Sequence, residues 1–207
     1  MHSVRVFRFT SLSSLFYVRV LTFSFIVLLT IIGTSAGAAQ TGKATVEKLV
    51  TLFKSWDQGV PPAKVFSEAT DYIDYSSMAE QALGVDQWSK LNEKDKNAFA
   101  AAIKKLVEQR YYPRWHKLFA KGSLTYGGES SKNGDITLNT ILNVNKKSQD
   151  VAWRLNSKSA APKVISLRVD EKDLLNVLHQ RISPKLKKAG FPALLSWLQN
   201  KAAQEDN

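Results

Sequence analysis

Side chains that move protons, attack carbonyls or hold metals are sparse in this chain. After the first forty residues its histidines are His116, inside the run YYPRWHKLF, and His179. An imidazole works as a general base only with a reacting group in hydrogen-bond reach. A lone one among aromatics ordinarily packs as part of the core. No H-E-x-x-H zinc helix and no G-x-S-x-G nucleophile turn occurs. There is no cysteine, which excludes disulfides, thiolate metal sites, cysteine nucleophiles and a lipid anchor on an N-terminal cysteine. Gly127-Gly128 lacks the following lysine of a phosphate loop and reads as a strand-end turn. Glu129, Asp135 and Asp150 fall at strand ends and turns, where carboxylates are solvated, and Asp74 is placed to cap a helix. Two carboxylates can still be assembled from distant segments, as glycoside hydrolysis requires. That alternative needs His116 or an acid turned into a pocket. The expectation is a chain with no catalytic residues, no metal and no cofactor.

Cations are the more abundant resource. The 207 residues carry 29 Lys plus Arg against 18 Asp plus Glu, a formal charge of +11. Arg110, Arg114, Lys117 and Lys121 run along one helical region with Tyr111, Tyr112 and Trp115, and Arg181, Lys185, Lys187 and Lys188 cluster late in the chain. Such runs serve as solvated helix faces, as an anion-facing rim around an apolar cavity, or, with interleaved aromatics, as a platform for stacked bases.

The N-terminus decides among these. Residues 1–38 hold no acid and three arginines, Arg5, Arg8 and Arg19. An apolar run from Val20 to Ile32 follows, then Ala36-Gly37-Ala38. A basic region, an apolar core and an A-x-A site form a secretory signal peptide. The apolar run is shorter than the ~20 residues a membrane-crossing helix needs. Cleavage is expected after Ala38, with an uncleaved anchor as the alternative. The three arginines leave with it, lowering the charge from +11 to +8. An exported basic protein rarely meets nucleic acid, so the expected anionic partners are lipid headgroups or acidic protein surfaces.

The elements that position these groups read as helices, a meander, then helices. Val46, Leu49, Val50 and Phe53 make a helical stripe over 43–56. A short helix is expected over 62–72 behind Pro61-Pro62, and another from Tyr75 to Leu83 between Asp74 and Gly84. A long helix starts at Asn92 with the stripe Phe99, Ala102, Ile103, Leu106, Val107 and Tyr111. Pro113 should kink or break it. The period then changes to two. Leu124 and Tyr126 alternate, followed by Ile136, Leu138, Leu142 and Val144, by Val151, Trp153 and Leu155, and by Ile165, Leu167 and Val169. Asn133-Gly134, KKSQD and SKSAAPK separate them. Helices over 171–188, bent near Pro184, and 191–202 close the chain. This is an α+β plan: a four-stranded antiparallel twisted sheet, its apolar face covered by the N-terminal and C-terminal helices, in one domain over 40–203.

The stretch DYIDYSSMAEQALGVDQWSKLNEKDKNAFAAAIKKLVEQRYY (71–112) closely resembles a signature of the MlaC family of periplasmic phospholipid-shuttle proteins. The matching features fall on Tyr72, Asp74, Tyr75, Met78, Ala79, Leu83, Gly84, Trp88, Phe99 and Tyr111. Trp153 sits where the family has a strand aromatic, and KLKKAGFPALLSWLQNK (185–201) resembles its Gly–Phe–x–x–Leu–Leu helix. One departure stands out: Leu178-His179 occupies the place of the family's Tyr-Arg pair. The resemblance implies a periplasmic carrier that moves glycerophospholipid between an outer-membrane lipoprotein complex and an inner-membrane ABC transporter complex. It implies acyl chains in an apolar cavity between sheet and helices, with the headgroup near solvent. Burying one CH2 is worth about 0.8 kcal/mol, so a 16-carbon chain is worth on the order of 10 kcal/mol without any catalytic group. The expected lipid-binding residues are Leu138, Leu142, Val151, Trp153, Leu155, Ile165 and Leu167 from the sheet and Met78, Phe99, Ile103, Leu106 and Tyr111 from the helices. Arg110, Arg114, Lys187 and Lys188 are the expected headgroup or partner-docking cations. The competing reading is an exported protein-interaction adaptor with a packed core and no ligand.

Overall fold

The computed structural model describes residues 41–158 and 161–203. The segment read as an export signal lies outside them. Helix α1 (Gly42–Asp57) starts where Thr41 Oγ1 accepts the Ala44 N–H at 3.2 Å, and it buries Val46, Leu49, Val50 and Phe53. A second acceptor comes from the sheet: Glu129 Oε1 takes the Lys43 N–H at 2.7 Å. This carboxylate is therefore a helix cap as well as a solvated group. Helix α2 (Pro62–Ala69) is shorter than the expected 62–72. The chain after it leaves helix to bond β4, with Val164 N–H donating to Tyr72 O at 2.8 Å and Asp74 N–H to Val164 O at 2.9 Å.

Helix α3 (Tyr75–Leu83) is capped by Asp74 as its sequence implies. Asp74 Oδ1 accepts the Ser77 N–H at 2.9 Å, and Oδ2 accepts Ser77 Oγ and Asn156 Nδ2, each at 2.8 Å. Burial works to raise the Asp74 carboxyl, but the Ser77 and Asn156 bonds and the Lys163 charge outweigh it and hold it below its ordinary value. A depressed carboxyl adds stability that is present above its unfolded value of 3.8 and is lost as pH falls through the lower folded one. Acid unfolding should therefore be steeper for the natural protein than for Asp74→Asn. Replacement by alanine should cost about 1 kcal/mol at neutral pH through the lost cap. Identical acid limbs for the natural protein and Asp74→Asn would remove this carboxyl from the account.

A one-turn helix, α4 (Val85–Trp88), follows the positive-φ Gly84, and α5 (Glu93–Leu106) follows the Asn92 cap. Pro113 does not break the rod as expected. Val107–Tyr111 widens into a π-helical turn, with Tyr112 N–H donating to Val107 O, and α6 (Tyr112–Ala120) continues with Pro113 in its first turn. Proline is tolerated there because first-turn N–H groups have no helical partner to lose.

The sheet runs β1 (Ser123–Lys132), β2 (Asp135–Val144), β3 (Lys147–Asn156), β4 (Lys163–Val169) and β5 (Lys172–Asp173), each antiparallel to the next. It has five strands, not four. Asp170 (φ 50°) begins a tight turn into the two-residue β5. The last helix then starts at Leu174 instead of 171, because Asp173 Oδ1 caps it through the Asn176 N–H at 3.0 Å. Gly127-Gly128 is not a strand end. It is a bulge inside β1 opposite Asn139, where a Cβ on Gly127 would come within 2.9 Å of the Asn139 carbonyl oxygen. The β2–β3 turn is Asn145-Lys146, both at positive φ, so most of KKSQD belongs to β3.

The final helix, α7 (Leu174–Ala203), passes through Pro184 without the expected bend, and it kinks at Gly190 (φ 75°, ψ 176°), between the two helices that the sequence implies. That backbone region is essentially reserved for glycine. A Cβ at Gly190 meets nothing within 4 Å, so Gly190→Ala isolates backbone strain. It should cost about 1–3 kcal/mol, read as a drop in melting temperature of roughly 2–4 °C per kcal/mol. A more stable alanine variant would show that the halves can straighten without loss. Helices α1, α3 and α7 lie on the sheet, with α5 packed on α3 and α7 and α6 packed on α1.

Candidate functional site

A cavity of about 450 Å³ opens between the α5–π–α6 rod and α7. From the rod come Leu106, Arg110, Tyr111 and Arg114; from α7 before the kink, Leu178, Arg181 and Ile182; from α7 after it, Trp197, Leu198 and Lys201. Its floor is apolar, because Leu106, Leu178, Ile182 and Leu198 are core residues. Four cationic side chains line it as well, and among the described residues no carboxylate does. The π turn sets this composition. One extra residue in the helix brings Arg110, Tyr111 and Arg114 to the cavity while Tyr112, Trp115 and Phe119 stay buried against Phe53.

The polar groups are tied together. Arg110 Nε donates to the Lys201 carbonyl at 3.3 Å, joining the π turn to the end of α7. The Arg114 guanidinium lies 5.9 Å from the centre of the Tyr111 ring. Burial pushes the Tyr111 hydroxyl up, and Arg181, Arg114 and Arg110 pull it part of the way back. Three guanidinium groups thus act at one point of the cavity.

The sequence-predicted residues divide between this cavity and the core. Leu106, Tyr111, Arg110 and Arg114 line the cavity. Met78, Phe99, Ile103, Leu138, Leu142, Val151, Trp153, Leu155 and Leu167 sit in the continuous core, and Ile165, the extra residue of a β4 bulge, is fully buried. Leu138, Trp153 and Leu167 form one row across β2, β3 and β4. Phe119 stacks on Trp153 with ring centres 5.3 Å apart, so packed side chains fill that row's space. This cavity lies between helices. Lys187 lines a separate groove with Val85, Leu186 and Phe191, and Lys188 is exposed.

Sequence reasoning missed Trp197 and Lys201 and did not single out Arg181 from its cluster. Arg181 follows Leu178 by three positions, and Lys201 follows Trp197 by four, the spacing of one helix face. His116 stacks on Trp56 at 4.5 Å and faces Asp57 at 3.5 Å, outside the cavity lining. His179, in the departing pair, bonds Ala82 O through Nδ1 at 3.0 Å and Ser183 Oγ through Nε2 at 3.1 Å, tying α7 to α3. Among the described residues, no group of three or more His, Asp and Glu could hold a metal ion. No described helix is long and apolar enough to cross a membrane.

These features define an α+β protein with an amphipathic pocket between helices. The chain belongs to the MlaC family: the family's model, described as MlaC protein, matches residues 45–200. Among solved structures it is similar to the phospholipid-binding protein from Ralstonia solanacearum, determined in complex with a phospholipid. That match has 18% identity and a TM-score of 0.68, and covers 80% of this chain and 97% of the other. No curated protein matches the chain.

Proposed function

We propose that the protein is a periplasmic phospholipid-binding carrier, exported by a cleavable signal peptide over residues 1–38. It shuttles glycerophospholipid between outer-membrane and inner-membrane ABC transporter complexes and so maintains outer-membrane lipid asymmetry. The observation that carries this reading is the joining of an apolar floor to a cationic lining in one cavity. That arrangement suits a molecule with chains at one end and a phosphate at the other. Its size lies in the range of small-molecule sites, about 300–1,000 Å³. Membership of the MlaC family and the phospholipid in the Ralstonia protein support it. The floor is continuous with the core that holds Met78, Phe99, Ile103, Trp153 and their neighbours, so a chain longer than the cavity enters by displacing packed side chains there. Arg110 and Arg114 serve the headgroup, and Lys187 and Lys188, away from the cavity, serve partner docking. The carrier is not an enzyme and does not bind nucleic acid.

Native mass spectrometry of the purified protein, with lipid extraction, tests this. Co-purifying phospholipid, or uptake from vesicles, is the expected result. A ligand-free protein that takes up nothing would leave the adaptor reading standing instead.

A further inference from the structure

Resting on that reading, we infer that the cavity takes a single acyl chain, so the preferred cargo of the carrier is a monoacyl glycerophospholipid and not a diacyl one. Volume decides between the two. The cavity holds about 450 Å³. A methylene group fills about the share of liquid volume that a water molecule does, about 30 Å³, so one 16-carbon chain needs about 480 Å³ and two need about 960 Å³. One chain takes up the whole cavity, with its headgroup left at the open side, and a second chain has no place in it. The floor does not yield readily. Leu106, Leu178, Ile182 and Leu198 are buried and belong to a continuous core. In that core ring meets ring: Phe99 lies 5.9 Å from Phe191, and Trp115 lies 5.9 Å from Phe53. A close-packed interior admits extra methylenes only by forcing side chains off their rotamers. The groove of about 720 Å³ beside α4 does not supply the missing space. Its lining includes Asp86, Gln87, His179, Ser183 and Lys187, which a chain would desolvate without return. The polar side chains of the cavity meet the same phosphate in both lipids, so the number of chains discriminates between them and the headgroup does not.

The test offers the purified protein fluid vesicles of phosphatidylglycerol doped with a minor share of lysophosphatidylglycerol, all chains palmitoleoyl, and reads the bound species by native mass spectrometry. The lyso form should be enriched about tenfold over its share of the vesicle, the scale of forcing extra methylenes into a packed core. Trp197→Ala widens the cavity at its wall and should lower that enrichment several-fold, whereas Trp56→Ala removes a ring outside the lining and should leave it unchanged. A lysolipid leaves a bilayer more easily than a diacyl lipid, so an enrichment that Trp197→Ala does not lower would belong to the vesicle and overturn the inference. Hydrogen exchange of the natural protein gives a second reading without a variant. Loading with the lyso form should leave the amides of 99–106 and 191–198 as slow as before. Vesicles of the diacyl lipid alone should either load nothing or speed exchange there, because the packed core must open. Diacyl loading with unchanged exchange would show room for both chains and overturn the inference. So would binding of palmitoleate in place of lysophosphatidylglycerol from a mixture of the two, which would assign the cavity to fatty acids. Uptake of no lipid at all sinks the carrier reading itself; diacyl lipid bound in proportion to its share of the vesicle sinks only the one-chain inference.

Discussion

Trp153→Ala should lower stability by about 3–5 kcal/mol, the cost of truncating a fully buried aromatic. Trp153 is completely inaccessible at the centre of the sheet face, with Leu138 and Leu167 on either side. Phe119 stacks over it from α6. Its Nε1 donates to Thr140 Oγ1 at 3.1 Å, and that hydroxyl donates to Val151 O at 3.1 Å. Alanine leaves a void beneath Phe119 and removes the one donor aimed at Thr140. Trp153→Phe keeps the stacking and loses the bond, so it should cost about 1 kcal/mol for the bond and a further increment for the missing volume. Urea unfolding would show a lower midpoint at unchanged slope. A loss below about 1.5 kcal/mol for alanine would mean the site collapses around the missing ring.

Arg114→Glu combined with Arg181→Glu should reduce phospholipid retention by roughly ten- to a hundredfold, since hydrogen bonds to charged groups are worth about 1.5–3 kcal/mol. Both residues are exposed and line the cavity from opposite elements. The changes replace two attractive charges with two repulsive ones and leave the apolar floor intact. The fold should survive, as judged by a cooperative unfolding transition, because neither side chain belongs to the core. The loss should show as faster release of lipid to acceptor vesicles. Unaltered release would confine the phosphate to some other part of the molecule.

Helix and strand periodicities were readable where side chains face the core on one side. Val46, Leu49, Val50 and Phe53 announce α1, and the rows through Leu138 and Trp153 announce the sheet. What escaped notice lacks that signal. The second half of β1, Glu129 to Lys132, is exposed throughout and pairs with β2, so no alternation marks it. The two-residue β5 is too short to have a period. Prolines misled for a related reason. Pro113 and Pro184 each remove a donor, but a π turn absorbs the first, and the exposed second one does not interrupt α7. The kink falls at Gly190, two residues before Pro192 and between the two closing helices that the sequence implies. Leu106, Tyr111, Arg110 and Arg114 were legible as site candidates because they repeat along one helix. Trp197 and Lys201 meet them only through the fold of α7 on α5, a long-range contact that no local spacing encodes.

The π turn also makes the length of its segment a fixed quantity. Deleting one residue between Val107 and Tyr111 would restore ordinary α-helical bonding and turn everything beyond it by about 100°. Either Tyr112, Trp115 and Phe119 would swing away from Phe53, or the chain before the deletion would have to rotate and pull Phe99 and Ile103 out of the core. Substitutions along this stretch can therefore be accommodated one at a time, whereas a change in its residue count sets the two halves of the rod in conflict. In this part of the molecule the number of residues carries as much information as their identity.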